Sequence, residues 1–569
     1  MKTPVTTPRG AALPRLLALL LLLLLALLVR PVRAQFPVTA ATTQFVCNAP
    51  GVQAKVQAVA DGAGGSFVAW VDKRGGNTSG PGTALYMQHL NAAGVPLLAA
   101  NGLRLFQTRD KEIWGMKMVP WQSGLLVAWV QGGFGIGGDT IRCQFYSAAG
   151  APQWSIPTVV AYRTLPTVIY VLEYGLNVIP TSTGATITYD LTLNGGGDRL
   201  GFNQIGSTGA LRFPNNQWQL PLPSANSLLT LADGGDGFYV VSGYGGFSSP
   251  IYAQHYDLNG NGWANQLEVA ATGTTGRGGQ NWRAVRDPAG NLYVVWGSDG
   301  ADILAAKVTP AGALGWAAPG YRNLCTFASR QESPDAIWHD NALWAVWDDG
   351  RPSPNGFSTQ YMQRVDAAGN LAWSATGVLV NSLDAGYPAP KLAASNNGAV
   401  MAFFLTAYGQ GFRAQKVLPT GSLGFAANGV LLHNVQQDQP SYLDYVPVGQ
   451  PNGSVQVFWS SSGAGPNNQD ICAGRMQNSG TLLSATERAA EAAGFDVYPN
   501  PATTELRVSL SVGASAKQLR LYDALGRSVR AYAEAGPAAA LSLRGLPLGL
   551  YVLRGTLAGQ QVSRRVAVE

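Results

Sequence analysis

Sliding the chain along itself constrains its fold more than any other operation, because one phrase of roughly 55 residues recurs eight times. Each copy has an apolar strand such as Phe67-Val68-Ala69-Trp70, then a loop rich in Gly and Asp. A second strand follows, such as Leu85-Tyr86-Met87-Gln88-His89-Leu90, ending on Ala92-Ala93-Gly94. The closing glycines are Gly94, Gly150, Gly209, Gly260, Gly312, Gly369, Gly421 and Gly480, with spacings of 56, 59, 51, 52, 57, 52 and 59. A glutamine stands six residues before the glycine in five copies (Gln88, Gln144, Gln254, Gln363, Gln415). An aromatic follows three or four residues after it at Trp154, Phe213, Trp263, Trp316, Trp373 and Phe425.

One copy holds four strands. In the sixth they are expected near Ala336–Trp338, over Ala342–Trp347 and Gln360–Asp366, and from Leu371 to Val380. Four strands per repeat is the unit of a β-propeller blade, and a blade buries both faces only by packing on its neighbours. A parallel solenoid usually has shorter coils, and independent sandwiches need about 100 residues each. The predicted fold is therefore all-β: an eight-bladed β-propeller over residues 35–486, then a small C-terminal β-sandwich. The eighth copy has no outer strand, whereas Phe45-Val46-Cys47-Asn48, ahead of the first copy, matches Val378-Leu379-Val380-Asn381 of the sixth. The early segment is expected to complete the last blade and hide its edge.

Composition agrees. Charged residues are only 12 % of 569, while 70 glycines suit tight turns between many short strands. At the start, Lys2, Arg9 and Arg15 precede the apolar run Leu16–Val29, and Val32-Arg33-Ala34 ends it with small residues. This predicts a signal peptide over 1–34, cleaved before Gln35. The rival reading, a membrane anchor, needs about 20 apolar residues rather than 14. Removing the five basic residues of this leader leaves 33 Lys and Arg against 32 Asp and Glu, a net of +1. No nucleic-acid footprint remains in the mature chain, and no transmembrane segment is expected there.

Past the linker at 487–494 the repeat stops. Asp496-Val497-Tyr498-Pro499-Asn500-Pro501 leads into the alternating strand Leu506–Leu510. Leu519-Arg520-Leu521-Tyr522-Asp523 then runs into the turn Ala524-Leu525-Gly526-Arg527, and Gly549-Leu550-Tyr551-Val552 opens a late strand. About seven short strands in the segment 495–569 make a small sandwich. These phrases resemble the C-terminal sorting domain of proteins exported by the bacterial type IX secretion system, carried on Tyr498, Pro499, Asn500, Pro501, Asp523, Gly526, Arg527, Gly549 and Tyr551. The resemblance implies a host among the Bacteroidota and recognition by the outer-membrane translocon. It also implies delivery outside the cell, by release or by attachment to surface lipopolysaccharide.

Candidate chemistry is sparse. Asp257, Asn259, Asn261 and Glu268 satisfy the spacing of a calcium loop, although a Gly/Asn hairpin explains the same residues without metal. No other cofactor is expected. Cys47 and Cys472, on strands predicted to be neighbours, are a candidate disulfide, with two buried thiols as the alternative; Cys143 and Cys325 are expected unpaired. Asp72-Lys73-Arg74 and Asp348-Asp349-Gly350-Arg351 either meet a sugar or carboxylate or, the favoured reading, pair locally. Trp70, Trp129, Trp296, Trp347 and Trp459 share one repeat position and are expected in the core. GxSxG, HExxH, P-loop and clear Asp-box motifs are missing. The functional expectation is a secreted or surface-attached, non-enzymatic module binding a glycan or protein. The alternatives are a polysaccharide hydrolase or lyase with a site on the central propeller face, and a structural surface-layer component.

Overall fold

A computed structural model of the chain describes residues 36, 44–74, 82–108, 111–132, 140–162, 175–192, 198–214, 219–221, 227–243, 250–270, 282–298, 302–351, 358–385, 389–406, 411–433, 444–462, 469–480, 496–498, 502–509, 516–523, 527–532, 539–557 and 560–568. The expected leader 1–34 and linker 487–494 lie outside the described residues. Among those described there is no helix, and none long and apolar enough to cross a membrane.

Each sequence repeat folds into one four-stranded antiparallel sheet, giving eight such sheets in chain order. The first holds Gln53–Ala60, Ser66–Asp72, Ala84–Leu90 and Leu103–Gln107. In the sixth, Gln331–His339, Ala342–Asp349, Thr359–Asp366 and Val378–Asn381 pair in that order. Its outer strand is shorter than the sequence suggested, since Leu371 makes only an isolated bridge to Val365 before the chain regains register at Val378. The eighth sheet takes three strands from 445–476, and its outermost strand is Gln44–Cys47 from the start of the chain. Innermost strands touch in succession around the molecule, and that of the eighth, Tyr445–Gly449, touches that of the first, Gln53–Ala60.

The second strand of each repeat is buried on both faces because its sheet lies between two neighbouring sheets, and most of these strands are largely apolar. Trp70, Trp129, Trp296, Trp347 and Trp459 are all buried there, as expected. The repeat signature of glutamine, glycine and aromatic has one mechanical meaning. The glutamine binds the backbone of its own outer segment: Gln144 Nε2 donates to the Trp154 carbonyl at 3.1 Å, and its Oε1 accepts the Trp154 N–H at 3.3 Å. Gln254 holds Trp263 in the same way, Gln88 holds Leu98 and Ala99, and Asn203 holds Phe213 in the third copy.

The aromatic so fixed reaches across to the next sheet. Trp154, Trp263, Trp316, Trp373 and Phe425 cover Gly209, Gly312, Gly369, Gly421 and Gly480, where a Cβ would stand 2.7–3.1 Å from the ring. Phe36 covers Gly94 at 2.7 Å and so provides for the first sheet what the eighth repeat does not encode. Each glycine also sits at φ between +77° and +91°, the left-handed turn conformation. The indole N–H of Trp154, Trp263, Trp316 and Trp373 donates to the carbonyl two residues before the glycine it covers, at 2.9–3.2 Å. Where the aromatic is phenylalanine, a cation supplies that donor. Arg212 bonds Leu258, Lys416 bonds Asn478 and Arg475 bonds Ala92.

The C-terminal segment forms a three-stranded and a four-stranded antiparallel sheet. They share one apolar core, with Val497, Leu506, Val508 and Leu541 meeting Leu519, Leu521, Leu553, Val566 and Val568.

Gly209 and Gly62 offer a matched comparison, because both have φ near +82° but nothing lies within 4 Å of a Cβ at Gly62. Gly62→Ala should cost about 1–2 kcal/mol for the left-handed turn alone. Gly209→Ala should cost clearly more in thermal or urea unfolding, and Trp154→Phe about 1 kcal/mol for the lost hydrogen bond. Equal costs for the two alanine variants would show that the ring-on-glycine contact carries no energy.

Candidate functional site

Two corners of the molecule are built alike. On the first sheet, Asp72 accepts Trp70 Nε1 at 2.9 Å, Arg74 Nε at 2.8 Å and the Arg74 backbone N–H at 2.7 Å. Arg74 lies over the Tyr86 ring, donates to the Asn101 carbonyl and meets Cys47 Sγ at 2.9 Å. On the sixth sheet, Asp349 accepts Trp347 Nε1 and Arg351, while Arg351 lies over Tyr361, donates to the Thr376 carbonyl and meets Cys325 Sγ at 3.2 Å. Burial works to raise the Asp349 carboxyl, but the bonds from Arg351 and Trp347 hold it below the usual carboxylate range. Local pairing was the favoured expectation for these acid–base runs, and it is what the geometry shows.

The sixth sheet differs from its siblings in one row facing the seventh. Nine residues before the closing glycine stand Leu85, Ile141, Leu200, Ile251, Ile303, Phe412 and Ile471, but the sixth copy has Gln360. Gln360 pairs across the strands with Asp348, Asp348 with Glu332, and Asn381 with Gln360. Asn381 Nδ2 donates to Gln360 Oε1 at 2.6 Å, and Gln360 Nε2 donates to Asp348 Oδ1 at 3.0 Å. A line of polar groups thus crosses all four strands and ends on two neighbouring carboxyls. Burial raises the Asp348 carboxyl to about 7; the Gln360 bond opposes this and the charge of Glu332 adds to it. This row escaped sequence reading, although a polar residue at a position apolar in seven copies was its visible signal.

Charges from several innermost strands converge nearby. Arg283 pairs with Asp335 at 3.4 Å, and Asp335 also accepts the Leu392 N–H at 2.8 Å. Lys391 donates to the Tyr445 carbonyl at 2.6 Å and lies over the Tyr445 ring. Its pKa is lowered, chiefly by burial; Asp335 and Asp444 favour the charged form, while Arg283 and Lys117 oppose it. The zone combines carboxyls, amides and cations, a donor and acceptor set suited to polar ligands.

The remaining candidates fall as follows. Asp257 Oδ1 accepts the backbone N–H of Asn259 and of Asn261, its Oδ2 accepts Asn261 Nδ2, and Arg212 donates to Asn259 Oδ1 at 2.5 Å. Glu268 pairs opposite Tyr252, five residues before Asp257 and so about 16 Å along the strand. The four residues therefore do not close around one ion, and these oxygens serve a hairpin. Among the described residues no group of three or more His, Cys, Asp or Glu gathers in metal-binding geometry.

Of the two readings left open for Cys47 and Cys472, the structure has the buried thiols and not the disulfide. Cys472 stands opposite Phe45 while Cys47 stands opposite Ile471, so the two thiols leave opposite faces of the sheet. Cys47 enters the core shared with the first sheet and Cys472 the core shared with the seventh. Burial pushes the Cys47 thiol up to about 11.

In the C-terminal segment Tyr498 is exposed, and Pro499, Asn500, Pro501 and Gly526 lie outside the described residues. Asp523 accepts the backbone N–H and Nε of Arg527, closing the turn. Gly549 opens the strand Gly549–Leu557, and buried Tyr551 donates to the Pro547 carbonyl at 2.8 Å.

Residues 496–569 match the family described as the secretion system C-terminal sorting domain. This is a type IX sorting domain, which marks proteins delivered to the cell surface or the exterior. No curated protein matches the chain. Among solved structures, the β-propeller domain of the Trilobed protease from Pyrococcus furiosus is similar at 8 % identity and a TM-score of 0.34, over 64 % of this chain and 95 % of that one. A protein of unknown function from Dyadobacter fermentans is similar at 10 % identity and 0.34, over 78 % and 98 %. A lectin from Aleuria aurantia is similar at 13 % identity and 0.28, over 55 % and 96 %.

The Asp348 carboxyl gives a pH test. Its folded pKa, about 7, exceeds the unfolded value of about 3.9. Its contribution to stability is therefore complete below pH 4 and is lost as pH rises through 7. Asp348→Asn keeps an acceptor for Gln360 and cannot ionise. Relative to the wild type it should gain stability from about pH 4 to pH 7 in thermal unfolding and level off above pH 7, whereas parallel curves would mean that Asp348 ionises normally.

Proposed function

We propose that the chain is an exported eight-bladed β-propeller, residues 35–486, whose last blade is closed by its own N-terminal strand. A leader at 1–34, a linker at 487–494 and a C-terminal β-sandwich at 495–569 complete the domain plan. The propeller acts outside the cell as a non-enzymatic module that binds a glycan or a protein, and surface lipopolysaccharide is a candidate attachment partner. The match of residues 496–569 to a sorting domain carries the delivery half of this reading. The circular contact of eight innermost strands supports the ring. The charged and amide-bearing groups around Lys391, Arg283 and Gln360 support a polar ligand near its centre.

A second reading, a polysaccharide hydrolase, is favoured by the adjacent carboxyls of Glu332 and Asp348. One of them keeps its proton near neutral pH, while Glu332 is paired with Arg330. One acid and one carboxylate are the groups that cleavage of a glycosidic bond requires.

The exported chain applied to a glycan array should retain at least one extracellular polysaccharide without cleaving it. Release of shorter products, abolished by Asp348→Asn, would move the assignment to the hydrolase; silence across the array would remove glycans as the ligand class. In a host with type IX export, deletion of residues 495–569 should leave the propeller inside the outer membrane.

A further inference from the structure

One position of the innermost strands differs from those around it. It lies opposite the residue just before the repeated tryptophan, as Lys117 lies opposite Ala128, Arg283 opposite Val295 and Asp335 opposite Val346. Lys391, Gln57 and Asn177 occupy it in the seventh, first and third sheets. The side chain there is half-buried in all eight copies, whereas the residue before it is buried in all eight. Successive residues of a strand point to opposite faces, so the buried row meets the packed sheets and the half-buried row meets the axis. Two residues further along, the same row is aliphatic in every copy, as at Val119, Val285 and Ile337. A polar layer therefore stands on an aliphatic one.

The polar layer has room and an excess of positive charge. Eight strands set in a circle, each touching the next at about 8 Å, stand about 20 Å apart across it and enclose a shaft. Lys117 and Lys391 come from sheets three junctions apart, yet the charge of Lys117 reaches Lys391, so both side chains extend into that shaft. The charge of Arg283 reaches Lys391 as well. Against these three cations the layer sets one carboxylate, Asp335, which already serves Arg283 and the Leu392 N–H. Asp444, exposed beside Tyr445, adds a second. Lys391 gives the Tyr445 carbonyl only one of its three N–H groups. Without its leader the chain has 33 Lys and Arg against 32 Asp and Glu, so this gathering of cations is local and not a share of general basicity. Like charges held within low-dielectric walls focus their field on an incoming counter-ion.

We propose that this layer binds the anionic substituent of an acidic saccharide, a uronate carboxylate or a sulfate ester, between Lys117, Arg283 and Lys391. The aliphatic layer beneath offers a charge no partner, so the substituent stops at the cations. The rest of the saccharide extends toward the end of the ring where Glu332 and Asp348 stand. This inference rests on the glycan-binding reading above and deepens it, naming an acidic glycan and its place on the axis.

The test uses the full exported chain and isothermal titration with tetragalacturonate, a sulfated carrageenan tetraose and cellotetraose, with thermal unfolding of every variant as the check of fold. The wild type should bind at least one of the two anionic tetramers, more weakly as salt is raised, and cellotetraose at least tenfold more weakly. Which of the two it binds tells carboxylate from sulfate. Lys117→Met and Lys391→Met keep the aliphatic stem without the charge, and each should weaken that binding about tenfold or more. Asp335→Asn, which removes the competing carboxylate, should tighten it several-fold, an effect that a merely structural role would not produce. Should Lys391→Met fail to fold, Lys117→Met and Asp335→Asn decide. If cellotetraose binds as tightly as the anionic tetramers, or if all three variants bind the anion as the wild type does, the site is overturned while the glycan reading stands. A wild type that binds none of the three overturns the site too, and the array above then judges the broader reading.

Discussion

A single carbonyl, two residues before the closing glycine, takes a donor from the preceding sheet at seven of the eight junctions; at Gly150 the contact is Leu103 instead. This carbonyl lies in a tight turn where its own strand offers no donor, so the donor comes from the preceding sheet. Four junctions use an indole N–H, which makes one residue both ring and donor. Three use an arginine or lysine beside a phenylalanine. A tryptophan meets both needs in one residue, whereas beside a phenylalanine the donor comes from another side chain; at Trp316, Lys307 donates to the same carbonyl as well. The glutamine six residues before the glycine belongs to the same device, since it fixes the backbone from which the ring projects.

The repeat, the strand order and the strand that completes the eighth sheet were legible in the sequence because each leaves a periodic or complementary trace. The glycines mark turns that other residues enter only under strain, and Phe45-Val46-Cys47-Asn48 is a fragment of the repeat found out of place. Phe36 was not legible: it lies eight residues ahead of its strand, whereas Trp263 lies only four ahead of Leu267. The choice between a disulfide and two buried thiols at Cys47 and Cys472 turns on register. Neighbouring strands make contact plausible, but a shift of one residue sends the two thiols into different cores. The calcium spacing has a related difficulty, since a linear spacing taken from a helix–loop–helix here falls on an extended hairpin, with Glu268 opposite Tyr252.

Inside a repetitive chain, the copies calibrate one another. Gln360 is conspicuous because seven siblings carry Leu, Ile or Phe at its place, and Gln53 because its counterpart Gln331 has partners for its Nε2. The core positions repeat because every sheet faces the same packing problem. Departures shared by no sibling are where something besides packing shapes the residue. This comparison singles out the sixth sheet and the first, and in both the unusual residues are amides set beside carboxylates.

The strand Gln44–Cys47 pairs with residues 471–473, more than 420 positions later. During synthesis the strand Gln44–Cys47 lacks its native partner until nearly the whole of the repeat array exists. Its exposed backbone is meanwhile a template for any other strand edge. The entropy of so large a loop grows only slowly with length, so the delay is kinetic more than energetic. A protein delivered to the cell surface or exterior gains from this order of events, since an array of sheets that cannot close early stays open for longer.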